Sequence, residues 1–201
     1  MLCLAVLLAA CAGSASDGSG PGAGGATVEL GPDAVTAGTT APTTASQGLG
    51  EGWAGEVRGR TPLRGFSEVA ATITAGDGTT CEVCLLAAAT AEQRERGLME
   101  VTDPDLGGYD GMLFEYPDPV DGAFWMRNTP MPLSIAYFDA DRTVVSTADM
   151  APCEDSTSCP QYPADAPFQY ALEVPQGRLA EVGVVGLATI EVTAVRCPLA
   201  G

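Results

Sequence analysis

Residues 12–60 contain too few large apolar side chains to form a hydrophobic core. They consist mainly of Gly, Ala, Ser, Thr and Pro, and such a segment cannot bury enough surface to offset the entropy lost on ordering. Folding is therefore confined to residues 61–201, which are long enough for one self-sufficient domain. The sequence predicts three segments: a signal peptide at residues 1–10, a disordered tether at residues 11–60 and a single domain at residues 61–201.

The first ten residues are an apolar run that is too short to span a bilayer, which takes about 20 residues. The run is typical of the apolar part of a secretory signal peptide. The four residues Leu8, Ala9, Ala10 and Cys11 resemble the bacterial lipobox, in which the cysteine is acylated and becomes the new N-terminus. The sequence thus predicts an exported lipoprotein that is anchored to the cell membrane through Cys11 and faces outside the cytoplasm.

Within the folded region, apolar side chains recur with the period of two that is typical of β-strands. Met112, Phe114 and Tyr116 alternate in this way, and residues 168–174 place apolar side chains on one face of a strand. Residues 133–148 have the pattern of a hairpin around an Asp-rich turn. Many short strands between Pro, Gly and Asp turns indicate a mainly β fold, which we expect to be a compact antiparallel jelly-roll or barrel-like sandwich.

Short helices are predicted at two places in this β domain. Thr90 and Gln93 have the spacing of a capping box, in which each side chain bonds the other residue's backbone amide. Gly97 is placed to end that helix. A second short helical turn is predicted at residues 179–182, before Gly183.

Charge and composition exclude several classes of function. Residues 61–201 keep 21 of the 26 acidic and 7 of the 9 basic side chains, a net charge of −14, and the chain contains no histidine. An acidic surface without a basic patch disfavours nucleic-acid binding. The missing imidazole excludes Ser-His-Asp and Cys-His catalysis and histidine-ligated zinc sites. Our leading interpretation of the sequence therefore includes no cofactor and no bound metal.

Five cysteines remain once Cys3 is cleaved off with the signal peptide and Cys11 is acylated, and outside the cytoplasm we expect them to be oxidised. Cys153 and Cys159 lie in one turn-rich loop and are predicted to form a disulfide. A second bridge is expected between Cys197 and either Cys81 or Cys84. The CxxC spacing of these last two cysteines is also found in redox enzymes, but here it runs into a strand rather than a helix N-terminus.

The densest motifs of the chain are Glu95–Met99, Gly111–Phe114, Phe124–Thr129 with Pro132 and Leu133, Ala151–Pro152, and Tyr170–Val174. In this order and spacing they resemble the family called domain of unknown function 192 (DUF192), over about residues 82–196. The resemblance implies a small, mainly β, jelly-roll-like domain that is often exported, and it implies no reaction. The chain departs from the commonest pattern at Ser134, where many members carry Asp, and in its loop between Cys153 and Cys159.

The polar and aromatic residues of these motifs predict a ligand pocket. Arg127 and Asn128 would bind a carboxylate or sugar hydroxyls above an aromatic floor. The structural alternative is that the arginines bind Glu173 or backbone carbonyls while Asn128 fixes a turn. The candidate residues are Arg96, Asp110, Phe124, Trp125, Arg127, Asn128 and Glu173.

Three functions are compatible with these residues. The first is a non-catalytic accessory module that binds an envelope ligand or a protein partner. The second is a hydrolase of envelope glycan that uses two carboxylates, Glu173 with Asp110 or Glu115. The third is calcium binding by the acidic pairs at residues 139–141 or 154–155, although such short pairs are usually solvated turns.

Overall fold

The computed structural model of the chain describes residues 59–194, 196 and 197. The predicted signal peptide, Cys11 and the tether up to residue 58 lie outside the described residues. Along the part that is described, no helix is both long and apolar enough to cross a membrane.

The described residues form nine strands, one short helix and one 3-10 turn. The helix α1 spans Ala91–Arg96, and the 3-10 turn spans Leu106–Gly108. The strands are β1 (Ser67–Thr74), β2 (Thr80–Ala88), β3 (Gly111–Val120), β4 (Ala123–Trp125), β5 (Leu133–Phe138), β6 (Val144–Met150), β7 (Gln161–Pro163), β8 (Phe168–Pro175) and β9 (Thr189–Ala194).

The strands form a seven-stranded sheet in the order β6-β5-β8-β3-β2-β1-β9 and a two-stranded sheet of β4 and β7. The mainly β prediction is confirmed, and the architecture is an open sandwich rather than a closed barrel. The expectation of a purely antiparallel sheet is wrong at one pair, because β2 and β3 are parallel. Their connection contains α1 and the 3-10 turn, and a parallel pair needs such a long crossover.

Both faces of the large sheet are covered, so its central strands are buried on both sides. Met112 and Phe114 belong to the core of the first face, whereas Leu113 belongs to the core of the second face. The first face is covered by the segment between β2 and β5, and the second by the segment between β8 and β9. Every residue of β5 is therefore buried, as expected for a strand that is packed on both faces.

The predicted capping box begins α1. The side chain of Thr90 accepts a hydrogen bond from the Gln93 amide at 3.2 Å, and Gln93 Oε1 accepts one from the Thr90 amide at 3.0 Å. Gly97 follows the helix with a φ of 49°, a conformation that favours glycine. The second predicted helical turn is also present, because the Val182 amide donates to the Arg178 carbonyl at 3.3 Å and Gly183 follows with a φ of 92°.

Two disulfides join described residues, Cys153 to Cys159 and Cys84 to Cys197. Cys84 is the member of the CxxC pair that bonds Cys197, because the strand geometry of β2 directs residues three apart to opposite faces. Cys84 belongs to the core of the first face together with Cys197, whereas the Cys81 side chain lies beside Gly183 and Ile73 on the second face. The two sulfurs of the CxxC motif therefore do not form a redox pair.

Candidate ligand-binding site

Three adjoining cavities lie on the first face of the sheet, between α1, β4 and the loop closed by the Cys153–Cys159 disulfide. The disulfide-loop cavity has a volume of about 750 Å³, and the Trp125 cavity a volume of about 490 Å³. Asn128 lines both of them. The Glu173 pocket is much smaller, about 30 Å³, and shares Glu95, Arg96, Met99 and Trp125 with the Trp125 cavity.

Trp125 is the large exposed side chain of this region. It ends β4, and 42% of its surface is accessible. The guanidinium of Arg127 lies over the indole ring, 5.6 Å from the ring centroid, which is the distance of a cation–π contact. Arg127 also forms an ion pair with Asp155 of the disulfide loop. The indole is thus oriented by a side chain that is itself fixed to the loop.

Asn128 fixes the turn that follows β4. Its φ is 58°, in the left-handed region that asparagine adopts more readily than most residues. Its carbonyl accepts a hydrogen bond from the Glu100 amide at 2.8 Å, and its side-chain amide donates to Glu100 Oε1 at 3.3 Å. Asn128 therefore holds the segment after α1 against the β4 turn, as the structural alternative expected.

Arg96 and Phe124 are both held by the fold. Arg96 donates to the backbone carbonyl of Arg64 at 2.7 Å and lies over the Phe66 ring, 5.2 Å from its centroid. Phe124 packs edge-on against Phe114, with 4.9 Å between ring centroids. Phe124 therefore belongs to the packing between the two sheets, and Trp125 is the aromatic side chain that is accessible to a ligand.

Asp110 has a structural role. Its Oδ2 accepts a hydrogen bond from the Cys84 amide at 2.7 Å. Asp110 lines none of the three cavities. Its carboxylate instead joins the start of β3 to the neighbouring strand β2.

Glu173 is a buried acidic residue in the middle of the sheet. It lies in β8, only 4% exposed, opposite Met112 of β3 and Ile135 of β5. Among the residues that the structure describes, none forms a hydrogen bond or an ion pair with this carboxyl group. Burial raises its pKa to about 8, because the charged form loses its hydration. The carboxyl group is therefore mostly neutral at pH 7.

The charge around the cavities is mainly acidic. Their linings include the acidic side chains of Glu92, Glu95, Glu100, Glu154 and Asp155. The two arginines of the Trp125 cavity already have partners, Arg127 in its ion pair with Asp155 and Arg96 in its bond to a carbonyl. The prediction that Arg127 and Asn128 bind a carboxylate is therefore not supported, because an anionic ligand would meet excess negative charge.

The carboxylate pairs considered for hydrolysis do not share a cavity. Side chains alternate along β3, so Glu115 lies on the second face, where it is paired with Tyr170 and affected by the charge of Arg142. Glu173 lies on the first face. Asp110 is occupied by the Cys84 amide. Glu95, which no sequence pattern singled out as a carboxylate partner, is the acidic side chain that lines the same pocket as Glu173.

The acidic pairs considered for calcium have other partners. Asp139 Oδ1 accepts a hydrogen bond from the Thr143 amide at 2.9 Å, which closes the turn between β5 and β6. Asp155 is paired with Arg127. Across the described ranges, the one group of three possible ligand residues is Glu68, Cys84 and Cys197, whose two sulfurs are joined in a disulfide.

Several cavity residues were not predicted from the sequence. Met99 is the last residue of the motif Glu95–Met99, but an apolar side chain in a motif predicts a core position as readily as a cavity wall. Glu100 is an exposed acidic residue that nothing in the local pattern distinguishes from other surface acids, and Asp155, also exposed, was considered only as a calcium ligand and not as a cavity residue. Their role depends on the partners Asn128 and Arg127, which are distant in sequence.

The family model of DUF192 (Uncharacterized ACR) matches residues 71–192, more than half of the chain. A solved structure of a protein of unknown function from Novosphingobium aromaticivorans is 31% identical, with a TM-score of 0.56, covering 65% of this chain and 89% of that chain. A second solved structure comes from Sinorhizobium meliloti, and its description suggests a transcription regulator. It is 26% identical, with a TM-score of 0.53, covering 69% of this chain and 98% of that chain. No curated protein matches the chain significantly.

Proposed function

Because the chain belongs to the DUF192 family, whose description assigns no activity, we propose from the site itself that the domain is a non-catalytic ligand-binding module. The proposal depends on the exposed indole of Trp125 beside a cavity of about 490 Å³. An indole combines a large apolar face with low conformational freedom. Cavities that bind small molecules have this combination of an apolar surface and a few fixed polar groups.

The chemistry around Trp125 favours a neutral saccharide as the ligand. Asn128 and the Arg127–Asp155 ion pair line the same cavity as the indole, so hydrogen-bonding groups that are already oriented lie beside the ring. Sugar rings present an apolar face to an aromatic ring and hydroxyls at their edges. Anions, including nucleic acid, are disfavoured by the net charge of −14 over residues 61–201, which also argues against a DNA-binding role for this chain.

The place of this module is proposed to be the outer side of a cell membrane. The lipobox-like residues Leu8–Cys11 support acylation of Cys11, and two disulfides are typical of a compartment outside the cytoplasm. Mass spectrometry of the N-terminal peptide tests the anchor. A diacylglyceryl group on Cys11, lost in Cys11→Ser, is the expected result, and an unmodified N-terminus starting at Met1 would contradict it.

Fluorescence of Trp125 tests the binding proposal directly. The chain contains two tryptophans, Trp53 and Trp125. The emission of the full chain with Trp53→Phe therefore reports on Trp125 alone. The titrants are cellotriose, the glucosamine trimer and the N-acetylglucosamine trimer, which share one ring skeleton and one linkage. We expect at least one of them to change the emission with a saturating curve.

A matched pair of variants distinguishes specific binding at Trp125 from non-specific binding to exposed apolar side chains. Calorimetry should show that Trp125→Ala abolishes saccharide binding, whereas Leu187→Ala, which removes another exposed apolar side chain with 76% of its surface accessible, leaves binding unchanged. The proposal fails if none of the three trimers binds, or if the Trp125 variant binds as well as the parent chain.

A carboxylate-based glycan hydrolase is the second candidate, favoured by one observation. The buried carboxyl group of Glu173 has a pKa of about 8, a property of general acids in glycosidases, and Glu95 lines the same pocket. Incubation with a longer N-acetylglucosamine oligomer should then generate new reducing ends, and Glu173→Gln should abolish them. An unchanged oligomer after prolonged incubation would eliminate this candidate.

A further inference from the structure

We propose that the Glu173 pocket binds an amide substituent of the ligand, which for a saccharide is the acetamido group of an N-acetylated sugar. The inference rests on the proposed function and adds the ligand class to it. Trp125 would contact the sugar ring, and Glu173 would recognise the substituent that points inward from that ring.

The unpaired carboxyl group of Glu173 is the first observation that supports this inference. The structure describes three buried polar side chains, Thr129, Ser134 and Glu173. Thr129 Oγ1 donates to the Arg127 carbonyl at 3.3 Å, and Ser134 Oγ donates to Asp149 Oδ1 at 2.5 Å. Glu173 has no such partner. Among the described residues, no side-chain oxygen or nitrogen is both fully enclosed and without a hydrogen bond, so the carboxyl oxygens of Glu173 keep some accessible surface and are open to the pocket.

The pocket around this carboxyl group has a mixed lining, in which Arg94, Glu95, Arg96 and Thr129 are the polar side chains beside Glu173 itself. Phe114, Phe124 and Leu98 contribute to the walls, and Trp125 lines both the pocket and the larger cavity outside it. The volume of about 30 Å³ exceeds the 10–15 Å³, roughly, that one water molecule requires. Gly97 leaves space in the lining, because a Cβ at this position would lie 3.2 Å from the Phe114 ring. A group of a few heavy atoms fits this space.

The charged and titratable groups around the pocket leave the carboxyl group neutral. Arg94, which lines the pocket, donates instead to the carbonyls of Ala89 and Glu115, at 2.5 and 2.8 Å, and burial alone accounts for the raised pKa of Glu173. The groups that face Glu173 are Arg94, Glu95 and Arg96 from the α1 side, Tyr116 from β3 and Tyr137 from β5.

A neutral carboxyl group is complementary to an amide. Its O–H donates one hydrogen bond and its carbonyl oxygen accepts another, so an amide C=O and N–H can satisfy both at once. The methyl of an acetamido group would contact the phenylalanine walls. A hydroxyl substituent would leave the walls unfilled, and an ammonium group would require the ionised carboxylate. The geometry therefore favours N-acetylated over plain and over amino sugars.

The test compares the three trimers by calorimetry at about pH 6, below the pKa of about 8. We expect the N-acetylglucosamine trimer to bind at least about tenfold tighter than cellotriose, the effect of one or two satisfied hydrogen bonds. Equal affinities would overturn this inference and leave the proposed function intact. Tighter binding of the glucosamine trimer would also overturn it, in favour of an ionised Glu173. Binding of none would overturn both.

Two substitutions at Glu173 distinguish recognition from a structural role. Glu173→Gln retains a donor and an acceptor and should retain the preference for the acetylated trimer. Glu173→Leu should lose this preference. It should bind the N-acetylglucosamine trimer and cellotriose equally, with the affinity that the parent chain has for cellotriose. A preference that survives Glu173→Leu would contradict the inference, and circular dichroism verifies that each variant is folded. If Glu173→Leu does not fold, the pH comparison of Glu173→Gln decides.

The pH comparison uses the loss of the O–H donor on ionisation. At about pH 9.5, above the pKa of about 8, the parent chain should lose its preference for the acetylated trimer, whereas Glu173→Gln should keep it. Burial raises the pKa of Tyr116 and of Tyr137 above the usual value for tyrosine, so these groups remain neutral over this range. If the preference for the acetylated trimer changes with pH in the same way in the parent chain and in Glu173→Gln, the inference is contradicted.

Discussion

Asp110 Oδ2 accepts a hydrogen bond from the backbone amide of Cys84 at 2.7 Å, and the Asp110 amide donates to the Cys84 carbonyl at 2.9 Å. This pair joins β2 to the start of β3, where the two strands are parallel. Cys84 is also bonded to Cys197. The same residue thus connects the parallel pair to the segment after β9.

Replacing Asp110 should destabilise the domain without affecting ligand binding. Asp110→Ala leaves a partly buried amide without its acceptor and should lower the unfolding free energy by about 1.5–3 kcal/mol, as for other hydrogen bonds to charged groups. Urea denaturation measures this change. Asp118→Ala, at an exposed position of β3, is the control and should change the unfolding free energy by less than about 0.5 kcal/mol. Equal effects of the two would contradict the role assigned to Asp110.

Stability should fall as the pH rises from about 4.5 to about 8, because burial raises the pKa of Glu173 from its ordinary value of 4.5 to about 8. Between these values the folded chain binds more protons than the unfolded chain, so deprotonation favours unfolding. Glu173→Gln should remove this contribution and gain stability relative to the parent chain as the pH rises. Denaturation curves at several pH values measure it, and a pH-independent difference between the two proteins would be evidence against a buried, unpaired acid.

Gly111 cannot be replaced without moving β3 away from β8. A Cβ at this position would overlap the Glu173 carbonyl oxygen, whereas a Cβ at Gly122 would meet the Phe168 ring at 3.7 Å. Gly111→Ala should therefore cost about 3 kcal/mol or more, and Gly122→Ala less than about 0.5 kcal/mol. Thermal unfolding compares them. A normal stability of Gly111→Ala would show that the two strands tolerate separation.

The two disulfides should contribute unequally to stability. The Cys84–Cys197 bridge spans a sequence separation of 113 and the Cys153–Cys159 bridge a separation of 6. Loop-closure entropy then predicts losses of about 5 and about 2 kcal/mol when both cysteines of a bridge are replaced by serine. Chemical denaturation of the two double variants measures the difference, and a larger loss for the short loop would contradict this dependence on loop length.

Arg127 should be dispensable for folding but not for ligand binding. Its ion pair with Asp155 is exposed, with side-chain accessibilities of 36% and 64%, and such pairs contribute up to about 1 kcal/mol. Arg127→Ala should therefore change the unfolding free energy by less than about 1 kcal/mol and still weaken saccharide binding, because the indole of Trp125 loses the side chain that orients it. Loss of cooperative unfolding would assign Arg127 to the structural network instead.

Much of the local structure was predictable from the sequence. The strands of residues 111–116 and 168–174 follow from the alternation of their side chains, and the capping box of Thr90 and Gln93 marked the start of α1. The site was predictable only in part. The motifs pointed to Arg127, Asn128 and Trp125, but they placed Asp110 in the pocket, where the fold does not.

The sequence by itself determined where most strands form and which family the chain belongs to, because these depend on composition and on neighbours a few residues apart. The tertiary structure decided that β2 and β3 are parallel, that Cys84 rather than Cys81 bonds Cys197, and that the carboxyl group of Glu173 meets no hydrogen-bond partner in the described part of the chain. These facts depend on which segments meet across long loops. The free energy of such pairings comes from packing and burial of the whole sheet, which no local pattern records.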